Sequence, residues 1–264
     1  MLNGLDLFSG IGGIGLALSE WVRTVAYCEQ DRYAQGVLLS RMQSGDIDRA
    51  PIWNDVRTLR KHHLPEIDII FGGFPCQDIS RAGSGVGLMA GERSGLYFEV
   101  ARLIGETNPR FVFLENVPAI RTRGLNAVVQ SLTELGYDCR WTIVSAAEVG
   151  APHLRKRWFL LAHANGTELR LESDRLTRLR EKALASGEGR ERNVTRAYGE
   201  RLEGHRRHKS KVTQPSRYGE WLSEPSLCRG DNGLLNRMER LKCLGNSVVP
   251  MQAKAAFERL MGLV

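Results

Sequence analysis

From Leu2 to about Ala162, short apolar runs recur along the chain, separated by stretches whose apolar residues fall three or four positions apart. Strand candidates lie near 2–8, 24–29, 52–56, 67–72, 110–115, 140–145 and 157–162, the most continuously apolar stretches being 69–71, 111–114 and 158–162. That is the pattern of strands covered on both faces, and their alternation with helical stretches predicts an α/β fold with a mostly parallel sheet and helices on both faces. Leu96, Val100 and Leu103 form a core-facing stripe on a helix starting near Ser94. A second stripe, Leu125, Val128, Val129, Leu132 and Leu135, ends at Gly136, a residue suited to a helix stop.

After Ala162 the pattern fails, because residues 164–220 mix Arg, Glu, Gly and Ser with few aromatics. Order is expected to return near Trp221, and the stretch from Gln252 to Leu260 reads as a helix preceded by a turn-rich segment, Leu244 to Pro250. The expected organisation is a main domain over 1–163, a small basic region over 164–233, and a closing segment over 234–264 that completes the main domain. There is no internal repeat.

The chain has 264 residues, enough for one substantial core, and a formal net charge of +7. Residues 164–218 hold 14 Lys+Arg against 8 Asp+Glu, or +6, which leaves 23 against 22, or +1, elsewhere. Charge so concentrated points to a polyanion such as nucleic acid, the alternative being a solvated insert. The cysteines at 28, 76, 139, 228 and 243 form no C-x-x-C pair and no even framework, which fits a reducing cytoplasm. No basic-then-apolar leader precedes the first strand, and no apolar run approaches the roughly 20 residues that span a bilayer, so a cytoplasmic monomer without membrane contact is expected. His62, His63, His205 and His208 lack ligand spacing, and no metal is expected.

The chemistry should gather at the carboxyl ends of the strands, where open α/β sheets bind ligands. Asp6-Leu7-Phe8-Ser9-Gly10-Ile11-Gly12-Gly13-Ile14-Gly15 runs from a strand through a glycine-rich turn into a helix and contains G-x-G-x-x-G. Such a turn suits a dinucleotide's pyrophosphate or another nucleoside ligand. Glu29, at the end of the second strand, stands about where a carboxylate reaches ribose hydroxyls, and Asp55 ends the third; either acid could simply cap the following helix. The fourth run leads into Gly72-Gly73-Phe74-Pro75-Cys76-Gln77-Asp78-Ile79-Ser80, which places a thiol just beyond a buried strand. The fifth delivers Glu115-Asn116-Val117-Pro118 to the same edge, where desolvation can keep a carboxyl protonated. Arg155 and Arg157, alternate residues of an extended segment, would point the same way and could bind an anion, or form an ordinary basic edge.

Taken in order, Asp-Leu-Phe-Ser-Gly-Ile-Gly-Gly, Gly-Gly-Phe-Pro-Cys-Gln, Glu-Asn-Val-Pro, Arg-x-Arg and Leu-Gly-Asn-Ser-Val-Val-Pro resemble the motifs of DNA (cytosine-5)-methyltransferases. The resemblance covers residues 1–162 and about 234–260. The family usually has Gln where His153 stands, and its target-recognition region is generally longer than the one here. The resemblance implies a Rossmann-like S-adenosylmethionine-dependent methyltransferase fold, S-adenosyl-L-methionine as cofactor and duplex DNA as partner. It implies Cys76 as nucleophile, Glu115 as the group acting at the ring N3, and Arg155 and Arg157 as residues that hold the base and position Glu115. For the cofactor it implies Asp6, Phe8, Ser9, Gly10, Gly12, Gly13, Glu29, Gln30, Asp55, Val56, Gly72, Pro75, Leu96, Asn246, Ser247 and Val248, with the last helix packed beside the first strand.

Expected DNA contacts are Gln77 and Ser80 near the thiol, and Arg206, Arg207, Lys209 and Lys211 in the basic region. Phosphate contacts release counterions, so affinity should fall with salt at a log–log slope of about −0.9 per contact. Neutralising Arg206, Arg207, Lys209 and Lys211 together should flatten that slope in a DNA-binding titration and leave cofactor affinity unchanged. An unchanged slope would make the segment a solvated insert.

Overall fold

The computed structural model describes residues 1–75, 95–166 and 237–263. Its strands are β1 (Leu2–Leu7), β2 (Val22–Cys28), β3 (Ile52–Trp53), β4 (Ile69–Gly73), β5 (Phe111–Asn116), β6 (Tyr137–Ser145) and β7 (Lys156–Ala164). The α-helices among the described residues are α1 (Gly13–Leu18), α2 (Arg32–Ser44), α3 (Leu96–Thr107), α4 (Ile120–Arg123), α5 (Leu125–Glu134), α6 (Arg237–Asn246) and α7 (Pro250–Met261). All seven expected strands are present. Their bounds differ from those read, most at β6, which begins at Tyr137 rather than near 140, and at β3, which stops at Trp53 instead of reaching 56. The reason for the last is local, because Asp55 turns the chain by accepting the Arg57 N–H at 3.0 Å on its carboxylate and the Thr58 N–H at 3.0 Å on its carbonyl.

One sheet contains all seven strands in the order β3-β2-β1-β4-β5-β7-β6. The pairs among β1 to β5 are parallel, while β7 runs antiparallel to both β5 and β6. After β1 the chain builds outward through β2 and β3, then returns to pair β4 on the other side of β1. The loops that follow β1 and β4 therefore diverge, leaving a crevice at their carboxyl ends.

Successive side chains on each strand face opposite layers, which explains the continuous apolar runs. On one face Leu5, Leu7, Ile70, Val112, Leu114 and Leu160 pack with Tyr97, Val100 and Leu103 of α3 and Val128 and Leu132 of α5. On the other, Ile69, Phe71, Phe111, Phe113, Phe159 and Leu161 pack with Ile14 and Leu18 of α1 and Phe257 and Leu260 of α7. Helix ends follow their residues. Asp31 caps α2 by accepting the N–H groups of Tyr33 and Ala34 at 2.9 and 3.1 Å, and Gly136, at φ 85°, supplies the left-handed turn after α5.

The described closing residues pack on the sheet face that carries α1, with two corrections to the reading from sequence. Leu244, Gly245 and Asn246 belong to the last turn of α6 rather than to a free turn, the Ser247 N–H closing onto the Cys243 carbonyl at 2.9 Å. The last helix packs chiefly against α1, β6 and β7 rather than beside β1. Phe257 explains that seat: its ring meets Trp21 at 5.3 Å and Phe113 edge-on at 5.3 Å. Among the described residues no helix is long and apolar enough to cross a membrane.

Because Phe257 is fully buried while Phe98 on α3 is 40% exposed, truncating them should have unequal effects. Phe257→Ala should cost about 3–5 kcal/mol in urea unfolding, and Phe98→Ala about 1 kcal/mol or less. Equal losses would mean that the C-terminal helix is not part of the cooperative core.

Candidate active site

The turn after β1 is shaped by three left-handed residues, Phe8 (φ 52°), Gly10 (φ 53°) and Gly12 (φ 81°). A non-glycine residue in that region is uncommon and costs energy, so the loop is held by its surroundings. Buried Ser9 does much of the holding: its hydroxyl donates to the Asp6 carbonyl at 2.8 Å, and its N–H donates to the Cys28 carbonyl at 3.2 Å. Glu29 then ties the β1 and β2 loops together, its two carboxylate oxygens accepting the N–H groups of Gly10 and Asp31, each at 2.7 Å. Among the described residues a Cβ at Gly10 would meet nothing within 4 Å.

Those features fit a nucleoside ligand with hydroxyl groups. The Glu29 oxygens each retain a lone pair for a ribose hydroxyl, and bare backbone at Gly10 leaves room for close approach. The remaining expected cofactor residues are placed unequally. Phe8 is half-buried against the α3-side core and Gln30 is exposed, both at the carboxyl edge. Val248 returns from the far end of the chain to Gly13, where a Cβ would lie 3.1 Å from its side chain; Ser247 is half-buried and Asn246 exposed beside it.

Three expected contacts are placed otherwise. Asp6 lies beneath α1, where a Cβ at Gly15 would be 3.3 Å from its Oδ2, because strand alternation points it away from the Leu5 and Leu7 face. Burial, and secondarily the charge of Glu29, raises the pKa of Asp6 well above the ordinary carboxylate value. Asp55 is spent on Arg57 at 2.9 Å, a bond that lowers its pKa, so as the structure stands it serves as a turn carboxylate. Val56 points into the core, while Gly72, Pro75 and Leu96 border the crevice.

At the end of β4, two residues without side chains allow two close approaches. A Cβ on Gly72 would lie 2.0 Å from the Leu7 carbonyl oxygen, and one on Gly73 would lie 2.6 Å from Oε2 of Glu115. Glu115 therefore lies directly over the strand that leads to Pro75. Burial pushes its carboxyl up from 4.5 to about 7, against the opposing pull of Arg157 and Arg155. Arg157 Nε meets Glu115 Oε1 at 2.8 Å, with both side chains largely buried.

The two arginines do not act as one pair, contrary to the extended-segment reading. β7 begins at Lys156, and Arg155 turns instead to the carbonyls of Gly245 and Ser247, at 2.8 and 2.7 Å. Arg157 alone reaches Glu115 by a direct bond among the described residues. Cys76, Gln77, Ser80, Arg206, Arg207, Lys209 and Lys211 lie outside the described residues. Burial pushes the Cys28 thiol up to about 12 and that of Cys139 to about 11, which makes both poor nucleophiles. Among the described residues no group of three or more His, Cys, Asp or Glu is arranged to hold a metal.

Three side chains at this edge were not singled out from sequence. Asn116 donates to the Phe74 carbonyl at 3.2 Å and accepts the Val117 N–H at 2.8 Å, fixing the start of the cysteine loop. Arg102, gripped by Glu99 and Glu106, donates to the Val56 and Leu59 carbonyls at 3.0 Å each. Gln252, fully buried, donates to the Val144 and Arg155 carbonyls at 2.6 and 2.7 Å. A polar residue on the otherwise apolar face of a helix was the available signal for Gln252.

A family model described as C-5 cytosine-specific DNA methylase matches residues 2–223. Over 160 residues the chain is 41% identical to the Type II methyltransferase M.CviJI of Paramecium bursaria Chlorella virus IL3A, covering 60% of this chain and 42% of that protein. Over 169 residues it is 32% identical to the Type II methyltransferase M.HhaI of Haemophilus parahaemolyticus, covering 62% and 50%. The S. pombe Dnmt2 methyltransferase shares the fold at TM-score 0.52 and 22% identity, covering 64% of this chain and 52% of that one. The chain thus spans about half the length of the curated relatives it matches.

Glu115 gives the site a measurable pH signature. With its proton affinity raised in the fold, the native protein holds a proton that the unfolded chain releases between about pH 4.5 and 7. Stability contributed by this group is therefore lost as pH rises through that window. At about 1.4 kcal/mol per tenfold change in proton affinity, the loss is roughly 3 kcal/mol. Urea unfolding from pH 4.5 to 7.5 should show Glu115→Gln lacking this decline; parallel curves for the two proteins would contradict it.

Proposed function

The chain belongs to the C-5 cytosine-specific DNA methylase family, and from that premise we propose that it transfers a methyl group from S-adenosyl-L-methionine to C5 of a cytosine in duplex DNA. The observation that carries this reading is the convergence at one sheet edge of the open glycine turn, the buried Glu115 with Arg157, and the Gly73–Pro75 segment that runs straight into Cys76. A nicotinamide-dependent oxidoreductase would use the turn but leave the carboxyl–guanidinium pair without a task.

Carbon 5 of cytosine is a poor nucleophile in an aromatic ring. In the proposed sequence the Cys76 thiolate adds to C6, forming a C–S bond while Glu115 delivers a proton to N3, so that electron density is released onto C5. When bound, S-adenosyl-L-methionine would supply the electrophilic methyl group that C5 takes up, its sulfur keeping the bond pair and leaving as the thioether product, while the N3 proton returns to the Glu115 carboxylate. Removal of the C5 proton then returns its electron pair to the C5–C6 bond, and the C–S bond breaks to release the thiolate.

A carboxyl with a pKa of about 7 is well matched to this task, since near neutrality it is present in both protonated and ionised forms. Arg157 fixes its orientation through the 2.8 Å contact. Asn116 positions the loop entry rather than touching the base. Phe8, Gly10, Glu29 and Val248 are the residues best placed to hold the cofactor, and Ser9 acts by holding the turn. A stacked cytosine cannot present C6 to a thiol, so the base must flip out, at a cost of a few kcal/mol. The basic 164–218 segment is assigned to DNA binding and the 164–233 region to target choice.

Cys76→Ser should abolish methyl transfer while cofactor affinity stays within about threefold, because the thiolate is required for attack and not for holding adenosine. DNA with 5-fluorocytosine at the target should trap the unsubstituted protein as a covalent adduct, since fluorine cannot leave as the proton does. Methylation by Cys76→Ser within tenfold of the parent, or active protein that forms no adduct, would overturn the covalent scheme. Mapping methylated cytosines in DNA from expressing cells would test activity and reveal the target sequence together.

A further inference from the structure

The segment that meets the end of the glycine turn, with Val248 against Gly13, is held by hydrogen bonds running in both directions between two distant parts of the chain. The Arg155 guanidinium donates to the carbonyls of Gly245 and Ser247, at 2.8 and 2.7 Å. The Arg155 carbonyl accepts in return from Nε2 of Gln252, at 2.7 Å, and the same amide nitrogen reaches the Val144 carbonyl on β6 at 2.6 Å. Gln252 is 0% exposed and sits in the first turn of α7, whose preceding residue Val249 receives the Gln252 N–H at 3.0 Å. Between these anchors lies Val248, against the first residue of α1.

We propose that Arg155 and Gln252 form a latch that holds Gly245–Val248 against the glycine turn, which makes Arg155 a positioning residue for the cofactor rather than a group that binds the target base. The proposal rests on the reading that Asn246–Val248 border the cofactor. Arg155 is suited to the task because a charged donor bonds more strongly to carbonyls than a neutral one. Gln252 is suited because its NH2 group carries two donors, matching the two carbonyls it faces. Burial of that amide makes the arrangement specific, since replacing it with an apolar residue leaves the Val144 carbonyl without this donor.

The latch also distinguishes the two arginines. Arg157 serves Glu115 directly, whereas Arg155 secures the segment that covers the cofactor turn. Loss of Arg155 should therefore be read out in cofactor affinity before any DNA is present.

Calorimetric titration of the full chain with S-adenosyl-L-methionine, without DNA, tests this. Arg155→Gln should weaken binding about tenfold and Gln252→Met about threefold to tenfold, whereas Arg155→Lys, which keeps a charged donor, should stay within about threefold of the parent. DNA affinity of Arg155→Gln, measured without cofactor, should stay within about twofold. Melting temperature with and without cofactor separates the latch from folding. The cofactor-induced rise should shrink in Arg155→Gln and Gln252→Met even where the apo protein melts as the parent does, and Arg155→Lys carries the comparison if a neutral variant fails to fold. If the parent binds and all three variants bind equally well, the latch alone falls. A loss of DNA affinity with cofactor binding intact would instead make Arg155 a DNA-contacting residue and overturn the latch. Failure of the parent to bind the cofactor would remove both the latch and the functional reading beneath it.

Discussion

The last two residues of β4 must carry no side chain, and much of the site follows from that constraint. At Gly72 the Leu7 carbonyl occupies the space a Cβ would need, which draws β1 and β4 together at the point where the sheet changes direction. At Gly73 the same bareness admits the Glu115 carboxylate. A methyl group at either position would push apart the strands that carry the glycine turn and the cysteine loop, or move the carboxyl away from the loop entry. In a parallel sheet this spacing cannot be recovered by a small shift, because every strand is packed on both faces.

The second determinant is electrostatic. Glu115 lies at the edge of an apolar strand, where burial favours its neutral form, while Arg157 at 2.8 Å favours its charged form. Burial is the larger effect, leaving the carboxyl near 7. The pair is thus poised rather than locked, and its cost to stability above that pH is the counterpart of the proton-transfer role proposed for it. Arg155 feels both neighbours, and burial pulls its pKa down from the usual arginine value, which helps explain why carbonyls are drawn around its guanidinium.

A third feature is the return of the chain's last described residues to its first. Val248 touches Gly13, Phe257 meets Trp21, and Gln252 bonds to strands more than ninety residues earlier in sequence. Cofactor turn, base-side carboxyl and C-terminal helix are consequently parts of one packed unit.

The sequence by itself determined the strands, the α3 and α5 helices and the identity of the motifs, because these depend on periodicities and residue types confined to short windows. The most apolar runs became strands buried on both faces, β4, β5 and β7, while β6 is partly exposed, and Gly136 follows the helix of its stripe. It also carried the family, since five motifs in fixed order are far more specific than any one of them. What only the tertiary structure decided was how polar side chains are spent. Asp6 reads like a ligand in its motif but is turned beneath α1 by strand alternation, and Asp55 is engaged by a neighbour two residues away. Arg155 and Arg157 look equivalent in sequence yet serve partners about ninety and forty residues distant. Gln252 bonds to groups about a hundred residues away. A hydrogen bond requires two groups to meet within about 3 Å at a favourable angle, and for residues so far apart along the chain only the folded path sets that meeting.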